Sequence, residues 1–426
     1  MKTDLLEEYR WRGMLNDATE GAAEALAEAP VHAYIGFDPT SDSLHVGSLM
    51  PIMGLVHLQR AGHHPIVVVG GGTGLIGDPS GKTQERQLLT REQVDENLAG
   101  IRAQLEHFLD FDTPTNPART VNNLDWLGEL RLLDFLRDTG KHFSVNALIR
   151  KESIRRRLED EDHGISYAEF SYALLQAYDF LALFEREGCT FQMGGSDQWG
   201  NITAGIDLIR RVHGARAYGL TYPLVTNASG TKFGKTEAGN VWLDPERTSP
   251  YRFYQFWLNT DDADALRYLR YFTLLDREQV AELEAAQAER PHERPAQRAL
   301  AEDVTRRVHG EDGLARAQRA TQVLFGGALD GLGADEIADI FADVPSERLE
   351  RARLEGEGMG VVELLAEVGA AQSRGDARRA VEGGGVYLNN RRVASVEARV
   401  GVGDAVEGRF LVLRRGKKRY HLVELV

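Results

Sequence analysis

Two short β-rich runs with a helical segment between them place the strongest constraint on how this chain can fold. Residues 31–37 and 65–69 are the two runs, and each leads into a turn or a glycine-rich loop. Residues 49–60 have helical spacing, and Pro51 is acceptable only in a first turn, which predicts a helix start near His45 to Ser48. Strand, helix and strand at this spacing predict a parallel sheet in a doubly wound α/β domain.

The pattern of residues changes after position 248. Residues 249–324 lack strand-like runs and are rich in Ala, Glu, Arg and Leu, which predicts an α-helical domain. Residues 325–357 are rich in Gly, Ala and acidic residues, which is typical of a connector. Residues 358–426 hold two helical segments and short strands with turns, which predicts a small α+β domain. The predicted boundaries therefore follow residues 248, 324 and 357.

Charge restricts the partners of the chain. Its 426 residues include 50 Lys and Arg and 65 Asp and Glu, a formal net charge of −15 that argues weakly against nucleic acid. The acidic excess is uneven, because residues 358–426 carry 12 Lys and Arg against 8 Asp and Glu, a net of +4 that leaves −19 for the rest. A basic segment in an acidic chain is compatible with RNA binding confined to a local surface.

Cysteine usage and hydropathy restrict the compartment. The single cysteine, Cys189, excludes an internal disulfide and a cysteine-rich metal site, and we predict no metal-ligating side chains. Residues 1–12 are charged and lack the apolar core of a signal peptide. The longest apolar runs, such as 66–69, are far shorter than the ~18 residues that span a membrane. These features predict a cytoplasmic protein with no membrane partner.

The glycine-rich loop contains two nucleotide-binding patterns, and both fit incompletely. Gly72–Gly77 matches G-x-G-x-x-G after a strand, which keeps an NAD-dependent oxidoreductase as an alternative function. The Asp-Pro-Ser-Gly that follows at 78–81 would break the helix that this motif must open. Residues 77–83 resemble a P-loop but have three residues between the glycines instead of four.

Two further elements suit phosphate chemistry. The first, which we call the His45 element (His45–Gly47), lies at the predicted helix start, where unpaired N–H groups and a partial positive charge favour phosphate. The second, the lysine loop (231–236, T-K-F-G-K-T), places Lys232 and Lys235 three residues apart, and lysine is a compact charge suited to phosphates. Alone, each has an ordinary alternative: a helix cap with a surface histidine, and a solvated charged turn.

Together the two elements resemble the two signatures of class I aminoacyl-tRNA synthetases. Longer strings resemble the bacterial-type tyrosyl-tRNA synthetases over essentially the whole chain: Y-I-G-F-D-P-T (34–40), G-L-I-G-D-P-S-G-K (74–82), S-Y-A-L-L-Q-A-Y-D-F (171–180) and G-G-S-D-Q-W-G-N (194–201). Phe233 and Gly234 replace the Met and Ser of the general lysine signature, a variant usual in this branch. Ser48 stands where the class signature has its second histidine, which puts that nucleotide contact in question.

The resemblance implies an enzyme that activates L-tyrosine with ATP and transfers it to tRNA(Tyr). It implies a Rossmann-like catalytic domain at 1–248, a tRNA-binding helical domain at 249–324 and an RNA-binding domain at 358–426. The spacing of Tyr172, Gln176 and Asp179 independently places them on one face of a helix. The resemblance implies that tyrosine is bound at three points. Tyr34 and Asp179 would bind the phenol, Tyr172, Gln176 and Asp78 the ammonium group, and Gln198 the carboxylate.

The resemblance also implies the contacts with ATP. The nucleotide would lie against Gly36, Asp38, Gly47, Ser48 and Asp197. The phosphates and the leaving pyrophosphate would meet Thr40, His45, Lys82, Arg86, Lys232, Lys235 and Thr236. Mg²⁺ would accompany ATP and be held mainly by the phosphates, since this ion keeps much of its water shell.

The last segment carries the RNA-binding prediction. The string V-E-G-G-G-V-Y-L-N-N-R-R-V at 381–393 resembles the alpha-L RNA-binding module of ribosomal protein S-four. The predicted RNA contacts are the basic residues Arg378, Arg379, Arg391, Arg392, Arg414, Arg415, Lys417 and Lys418. The alternative from charge alone is a small domain with a solvated basic face. The family also implies a homodimer, whose interface residues the pattern does not identify.

Two other functions stay open at this point besides the oxidoreductase. One is an RNA-binding protein on a synthetase scaffold that has lost catalysis. The other is the same chemistry with tryptophan instead of tyrosine as the amino acid.

Overall fold

A six-stranded sheet organises the first of the two units into which the chain divides, Met1–Arg247 with Trp257–Val308. The computed structural model describes residues 4–78, 90–151, 154–155, 158–159, 164–228, 230, 233–236 (backbone alone for 235–236), 239–329, 331–342, 344–416 and 419–426. The strands of the sheet are β1 (Asp17–Ala18), β2 (His32–Phe37), β3 (His64–Val69), β4 (Arg119–Asn122), β5 (Cys189–Gly195) and β6 (Tyr218–Tyr222). A separate hairpin joins β7 (Lys235–Thr236) to β8 (Gly239–Asn240).

The strand order is β1-β6-β5-β2-β3-β4, and all pairs are parallel except β1 with β6. The chain proceeds from β2 through β3 and β4 in one direction, and from β5 to β6 in the other. This arrangement confirms the predicted parallel α/β sheet and places its switch point between β2 and β5. Residues 65–69 of β3 are buried throughout, as expected for a β-branched run with helices on both sheet faces.

Among the described residues up to position 213, nine α-helices accompany the sheet. They are α1 (Leu5–Arg12), α2 (Ala22–Glu28), α3 (Leu49–Arg60), α4 (Arg91–Leu105), α5 (Leu124–Leu127), α6 (Leu132–Asp134), α7 (Val145–Ile149), α8 (Tyr167–Glu187) and α9 (Trp199–His213). Helix α3 follows a 3-10 turn at Val46–Ser48, so the helix begins close to where Pro51 predicts. Helix α8 starts with a capping box between Ser166 and Glu169.

Residues 250–324 are mainly helical, as their composition predicts. The helices are α10 (Pro250–Leu258), α11 (Asp262–Phe272), α12 (Arg277–Glu289) and α13 (Pro295–Leu324), and α13 is broken at Gly310, where φ is 72°. Whether this stretch is a domain of its own stays a prediction.

The second unit comprises Thr248–Phe256 and His309–Val426. Its C-terminal elements are α14 (Ala334–Ile340), β9 (Ser346–Leu349), β10 (Met359–Gly360), α15 (Val361–Glu367), α16 (Arg374–Glu382), β11 (Val386–Leu388), β12 (Arg391–Arg392), β13 (Arg399–Val400), β14 (Phe410–Arg415) and β15 (Arg419–Leu425). Five strands form a sheet in the order β12-β11-β14-β15-β9.

Residues 325–357, the predicted connector, contribute to this second unit. Strand β9 pairs in parallel with β15, and Ile337 and Phe341 pack in one buried cluster with Val412 and Leu422. The boundary before residue 358 stays a prediction, but this packing favours an earlier start for the C-terminal module.

In the described ranges given above, no helix is both long and apolar enough to cross a bilayer.

Candidate active site

Polar side chains from four parallel strands and their following loops meet at the carboxyl edge of the first unit's sheet. Tyr34 lies within β2, Thr73 and Asp78 follow β3, Asn123 follows β4, and Gln198 follows β5. In open parallel sheets, ligands bind at this edge beside the switch point. The fold therefore brings together segments that are far apart in sequence.

A buried tyrosine and a buried aspartate form the deepest polar part of this edge. Tyr34 is 2% exposed, and Asp179 on α8 is 4% exposed. Asn123 Nδ2 donates to one Asp179 oxygen at 2.9 Å, and Trp126 Nε1 donates to the other at 2.7 Å. The Tyr34 hydroxyl finds no hydrogen-bond partner among the described residues. Because an unpaired buried hydroxyl is costly, this group is a candidate ligand contact.

Burial sets the protonation of both groups. Burial raises the pKa of Asp179 to about 7, although the hydrogen bonds from Asn123 and Trp126 act in the opposite direction. Burial also raises the pKa of Tyr34 well above its usual value, and the nearby charge of Asp179 adds to this effect. Tyr34 is therefore a hydrogen-bond donor at neutral pH, and Asp179 becomes a charged acceptor above about pH 7.

A second group of polar side chains lies on the same edge. Gln198 Nε2 donates to Asp78 at 2.9 Å, and Gln176 Nε2 donates to Gln198 Oε1 at 3.2 Å. Asn201 Nδ2 donates to Gln176 Oε1 at 3.0 Å. Burial raises the pKa of Tyr172 well above its usual value, with Asp38, Asp78 and Asp179 contributing in that order. The predicted tyrosine-binding residues are therefore brought into one cluster of amides, phenols and carboxylates.

The His45 element has a defined hydrogen-bonding geometry. The backbone N–H of Gly47 donates to His45 Nδ1 at 2.9 Å, so Nε2 carries the proton of the neutral ring. A Cβ atom at Gly47 would lie 2.6 Å from His45 Cε1, which explains why a glycine stands under the ring. Backbone bonds join the element to the segment after the lysine loop, since Val46 N–H donates to Val241 O at 2.9 Å.

The other predicted nucleotide contacts lie on accessible parts of this edge. Thr40 and Asp197 are exposed, and Asp38 and Ser48 are half-buried. A Cβ atom at Gly36 would meet no atom within 4 Å, so an incoming group could approach this backbone closely. Ser48 precedes α3 and makes no side-chain cap bond to it.

The lysine loop approaches the His45 element through its glycine. Gly234 has φ +80°, and a Cβ atom there would lie 2.7 Å from Val46 Cγ2. Strand β7 carries Lys235 and Thr236, of which the backbone is described. Three other predicted phosphate contacts, Lys82, Arg86 and Lys232, lie outside the described residues.

The predicted RNA contacts divide into two groups. Arg378, Arg379, Arg391 and Arg392 are exposed. Arg414 is buried over the Tyr387 ring and donates to Asn390, while Arg415 is paired with Asp376. These internal contacts favour a structural role for the second group. Lys417 and Lys418 lie outside the described residues.

Four further side chains at this edge, Asn123, Trp126, Thr73 and Asn201, are not predicted by the sequence pattern. Asn123 also donates to Thr73 Oγ1 at 2.9 Å and accepts from the backbone N–H of Gly72 at 2.7 Å, so one buried amide connects β3, β4 and α8. The available signal is a pair of asparagines at the end of β4, Asn122 within the strand and Asn123 directly after it. Metal ligands are not evident either: in the described ranges, no group of three or more His, Cys, Asp or Glu side chains could hold an ion.

Comparison with known protein families covers almost the whole chain. Residues 26–326 match the family of "tRNA synthetases class I (W and Y)". Residues 336–423 match the "Tyrosine--tRNA ligase SYY-like C-terminal domain".

Relatives match at full length. The tyrosine--tRNA ligase of Roseiflexus castenholzii is 58% identical over 424 residues, covering 100% of both chains. That of Bacillus caldotenax is 53% identical, covering 99% of both. A C-terminally truncated mitochondrial tyrosyl-tRNA synthetase from Aspergillus nidulans superposes with a TM-score of 0.68 at 29% identity, covering 76% of this chain and 94% of its own.

Proposed function

The chain belongs to the class I tRNA synthetases of the tryptophan and tyrosine group, as one of the bacterial-type tyrosyl enzymes, and from this premise we propose which side chains do the work. The protein is an enzyme that joins tyrosine to tRNA. It activates L-tyrosine with ATP to tyrosyl-adenylate and pyrophosphate, and then transfers the tyrosyl group to the 3′ end of tRNA(Tyr).

Tyr34 and Asp179 bind the substrate phenol in this proposal. The observation that carries it is the buried Tyr34 hydroxyl, which lacks a partner in the described part of the chain and lies near a carboxylate. Tyr34 would donate to the phenol oxygen, and the phenol would donate to Asp179. Asn123 and Trp126 leave Asp179 little freedom to turn away, because each holds one of its oxygens.

This arrangement accounts for selection against phenylalanine. Phenylalanine has the same ring but no hydroxyl, so it would leave the Tyr34 hydroxyl without a partner and would donate no hydrogen bond to Asp179. Because Tyr34 and Asp179 are already buried before binding, tyrosine gains hydrogen bonds to them that phenylalanine cannot make.

The amide and carboxylate cluster would hold the amino-acid end of tyrosine. Asp78, Tyr172 and Gln176 are proposed to receive the ammonium group, and Gln198 the carboxylate. Support comes from the hydrogen bonds from Gln176 to Gln198 and from Gln198 to Asp78, which link these three side chains in one row. The ammonium group would replace the Gln198 amide on Asp78 and leave that amide for the carboxylate.

Tyrosine activation needs no covalent nucleophile from the protein. The tyrosine carboxylate attacks the α-phosphate, so the residues act by positioning and by stabilising phosphate charge. His45 Nε2–H would donate to a phosphate oxygen, consistent with its tautomer, and Thr40 would lie beside it. Lys235 and Thr236 would face the leaving pyrophosphate, with Lys82, Arg86 and Lys232 in the same role.

The nucleotide would occupy the open backbone around Gly36. Asp38, Gly47, Ser48 and Asp197 are proposed to flank it, which their half-buried or exposed positions at this edge support. Mg²⁺ would enter with ATP and stay bound mainly to phosphate oxygens.

An exchange experiment tests the amino-acid assignment. ATP–pyrophosphate exchange would be measured with each of the twenty amino acids for the wild type, for Asp179→Asn and for Asp207→Asn, a surface control on α9. The wild type should favour tyrosine, and Asp179→Asn should lose discrimination against phenylalanine while the control keeps it. Equal activation of tryptophan, or an Asp179→Asn enzyme as selective as the wild type, would contradict the assignment. No exchange at all would instead favour an inactive RNA-binding protein.

The C-terminal module is proposed to bind tRNA. Helix α16 and strand β12 present Arg378, Arg379, Arg391 and Arg392 to solvent, where they can contact a phosphate backbone.

We also propose a homodimer and a cytoplasmic location. Several large apolar side chains on α6, α7 and the start of α8 are unusually exposed, including Leu132 at 70% and Leu133 at 77%. Such a patch supports an interface with a second copy. The single cysteine supports a reducing compartment.

A further inference from the structure

The described part of the lysine loop contains one aromatic residue, and it is buried. Phe233 is 6% exposed although its loop is otherwise polar. Its ring stacks on Phe272 at 5.3 Å between centroids with an interplanar angle of 10°. It also meets the edge of Tyr268 at 5.0 Å and lies 5.7 Å from Trp257. We call these three partners the aromatic socket.

The aromatic socket is buried and lies on two helices. Trp257 lies at the end of α10, and Tyr268 and Phe272 belong to α11; all three rings are buried. Trp257 also meets Phe272 edge-on, with centroids 5.3 Å apart. Because its walls support one another, the aromatic socket offers Phe233 one position and not a range of positions.

Helix α11 also holds the chain that enters the lysine loop. The Tyr268 hydroxyl donates to Thr226 O at 3.0 Å, and the backbone N–H of Ala228 donates to Asp264 at 2.7 Å. The backbone N–H of Phe233 donates weakly to Val225 O at 3.4 Å. Helix α11 therefore holds both the segment that leads into the lysine loop and the Phe233 side chain.

The residue after Phe233 is pressed against the His45 element. Gly234 adopts φ +80°, and even a methyl group there would lie 2.7 Å from Val46 Cγ2. Val241 N–H donates to Gly234 O at 3.2 Å, and Val46 N–H donates to Val241 O at 2.9 Å. Insertion of Phe233 thus fixes the distance between the strand that carries Lys235 and the helix start that carries His45.

We propose that Phe233 is a positioning residue for tyrosine activation, which acts through Lys235 by holding the lysine loop on the His45 element from within the aromatic socket. The inference rests on the role proposed above for Lys235. Phe233 would not touch tyrosine, so its replacement should lower kcat and leave tyrosine binding unchanged. A displacement of about 1 Å between reacting groups and catalytic charges is enough to slow a reaction about 100-fold.

A double-mutant cycle in the full-length enzyme tests this inference. Phe233→Leu, Lys235→Ala and the double variant would be compared by ATP–pyrophosphate exchange, with KM for tyrosine and the urea midpoint measured for each. Phe191→Leu is the matched control, because Phe191 is a buried phenylalanine stacked on Tyr218 at 4.9 Å and lies outside the loop. Phe233→Met serves as a second, milder variant should Phe233→Leu fold poorly.

The expected results separate positioning from packing. Phe233→Leu should lower kcat about 10- to 100-fold with KM for tyrosine within about twofold, and the double variant should be no slower than Lys235→Ala. Phe191→Leu should lower the urea midpoint without this change in kcat. A folded Phe233→Leu or Phe233→Met enzyme with kcat within about twofold of the wild type, or fully multiplicative effects in the double variant, would overturn the inference. An unchanged kcat in Lys235→Ala would instead overturn the lysine role on which it rests.

Discussion

Replacing Asp179 by asparagine should change how the stability of the enzyme depends on pH. Burial raises the pKa of Asp179 to about 7 in the folded protein, against 3.8 for the free side chain. A raised carboxyl pKa means that the folded state holds the proton more tightly than the unfolded state. Below pH 3.8 the Asp179 carboxyl therefore does not lower the free energy of unfolding. The destabilisation grows as pH rises from 3.8 to about 7 and stays constant above that.

The size of the effect follows from the shift. A shift of about 3 units corresponds to about 4 kcal/mol above pH 7, and about 2 kcal/mol of this is already present at pH 5. Asparagine does not titrate, so the free energy of unfolding of Asp179→Asn relative to the wild type should rise by roughly 2 to 3 kcal/mol from pH 5 to pH 8. Its amide would meet the Asn123 donor, which adds a cost of about 1–3 kcal/mol that does not change with pH.

Urea unfolding followed by circular dichroism at pH 5, 6, 7 and 8 measures this difference. Asp207→Asn is the control, because Asp207 is a partly exposed carboxylate on α9. Burial raises the pKa of Asp207, but the hydrogen bonds from Arg210 and Arg211 have the larger effect and hold that pKa below its usual value. The contribution of Asp207 changes only below about pH 4, so this control should show a constant difference across the range. If the free energy of unfolding of Asp179→Asn relative to the wild type also stayed constant across this pH range, ionisation of Asp179 would not destabilise the folded protein and the reasoning would be refuted.

Three further changes test other parts of the molecule. Tyr34→Phe should keep or raise the urea midpoint, because the hydroxyl that it removes is buried without a partner in the described residues. It should raise KM for tyrosine roughly 2- to 10-fold, because one hydrogen bond to the substrate is removed; an unchanged KM would exclude Tyr34 from the pocket. The double variant Arg391→Gln/Arg392→Gln should weaken the salt dependence of tRNA affinity, by about 0.8 in log–log slope for each phosphate that is no longer neutralised. Arg348→Gln, at the opposite edge of that sheet, is the control and should keep the wild-type slope. Equal slopes for both variants would place the RNA elsewhere. Leu133→Asp should give a folded monomer by light scattering; a dimer of undiminished affinity would move the interface away from α6.

Local sequence patterns were enough to predict the secondary-structure elements whose formation depends on residues close together in sequence. Residues 65–69 are mainly β-branched and lie in a buried strand because such a run suits a parallel strand that is covered on both faces. Pro51 predicted the start of α3 because proline is tolerated only in a first turn. Four long strings indicated the tyrosyl family, which the comparisons confirm, and with it the parallel sheet.

The tertiary structure decided what depends on strand order and burial. Asn123 reaches Asp179 because β4 and α8 are brought to one edge of the sheet, and no local spacing encodes a contact between residues 56 positions apart. Burial then gives Asp179 its raised pKa, while the same residue in a solvated loop would titrate normally. Arg414 shows the converse, since one member of a basic pair in sequence became a buried stacking residue. Sequence thus determined the chemical groups and the family, and the fold determined which of those groups are desolvated and face one another.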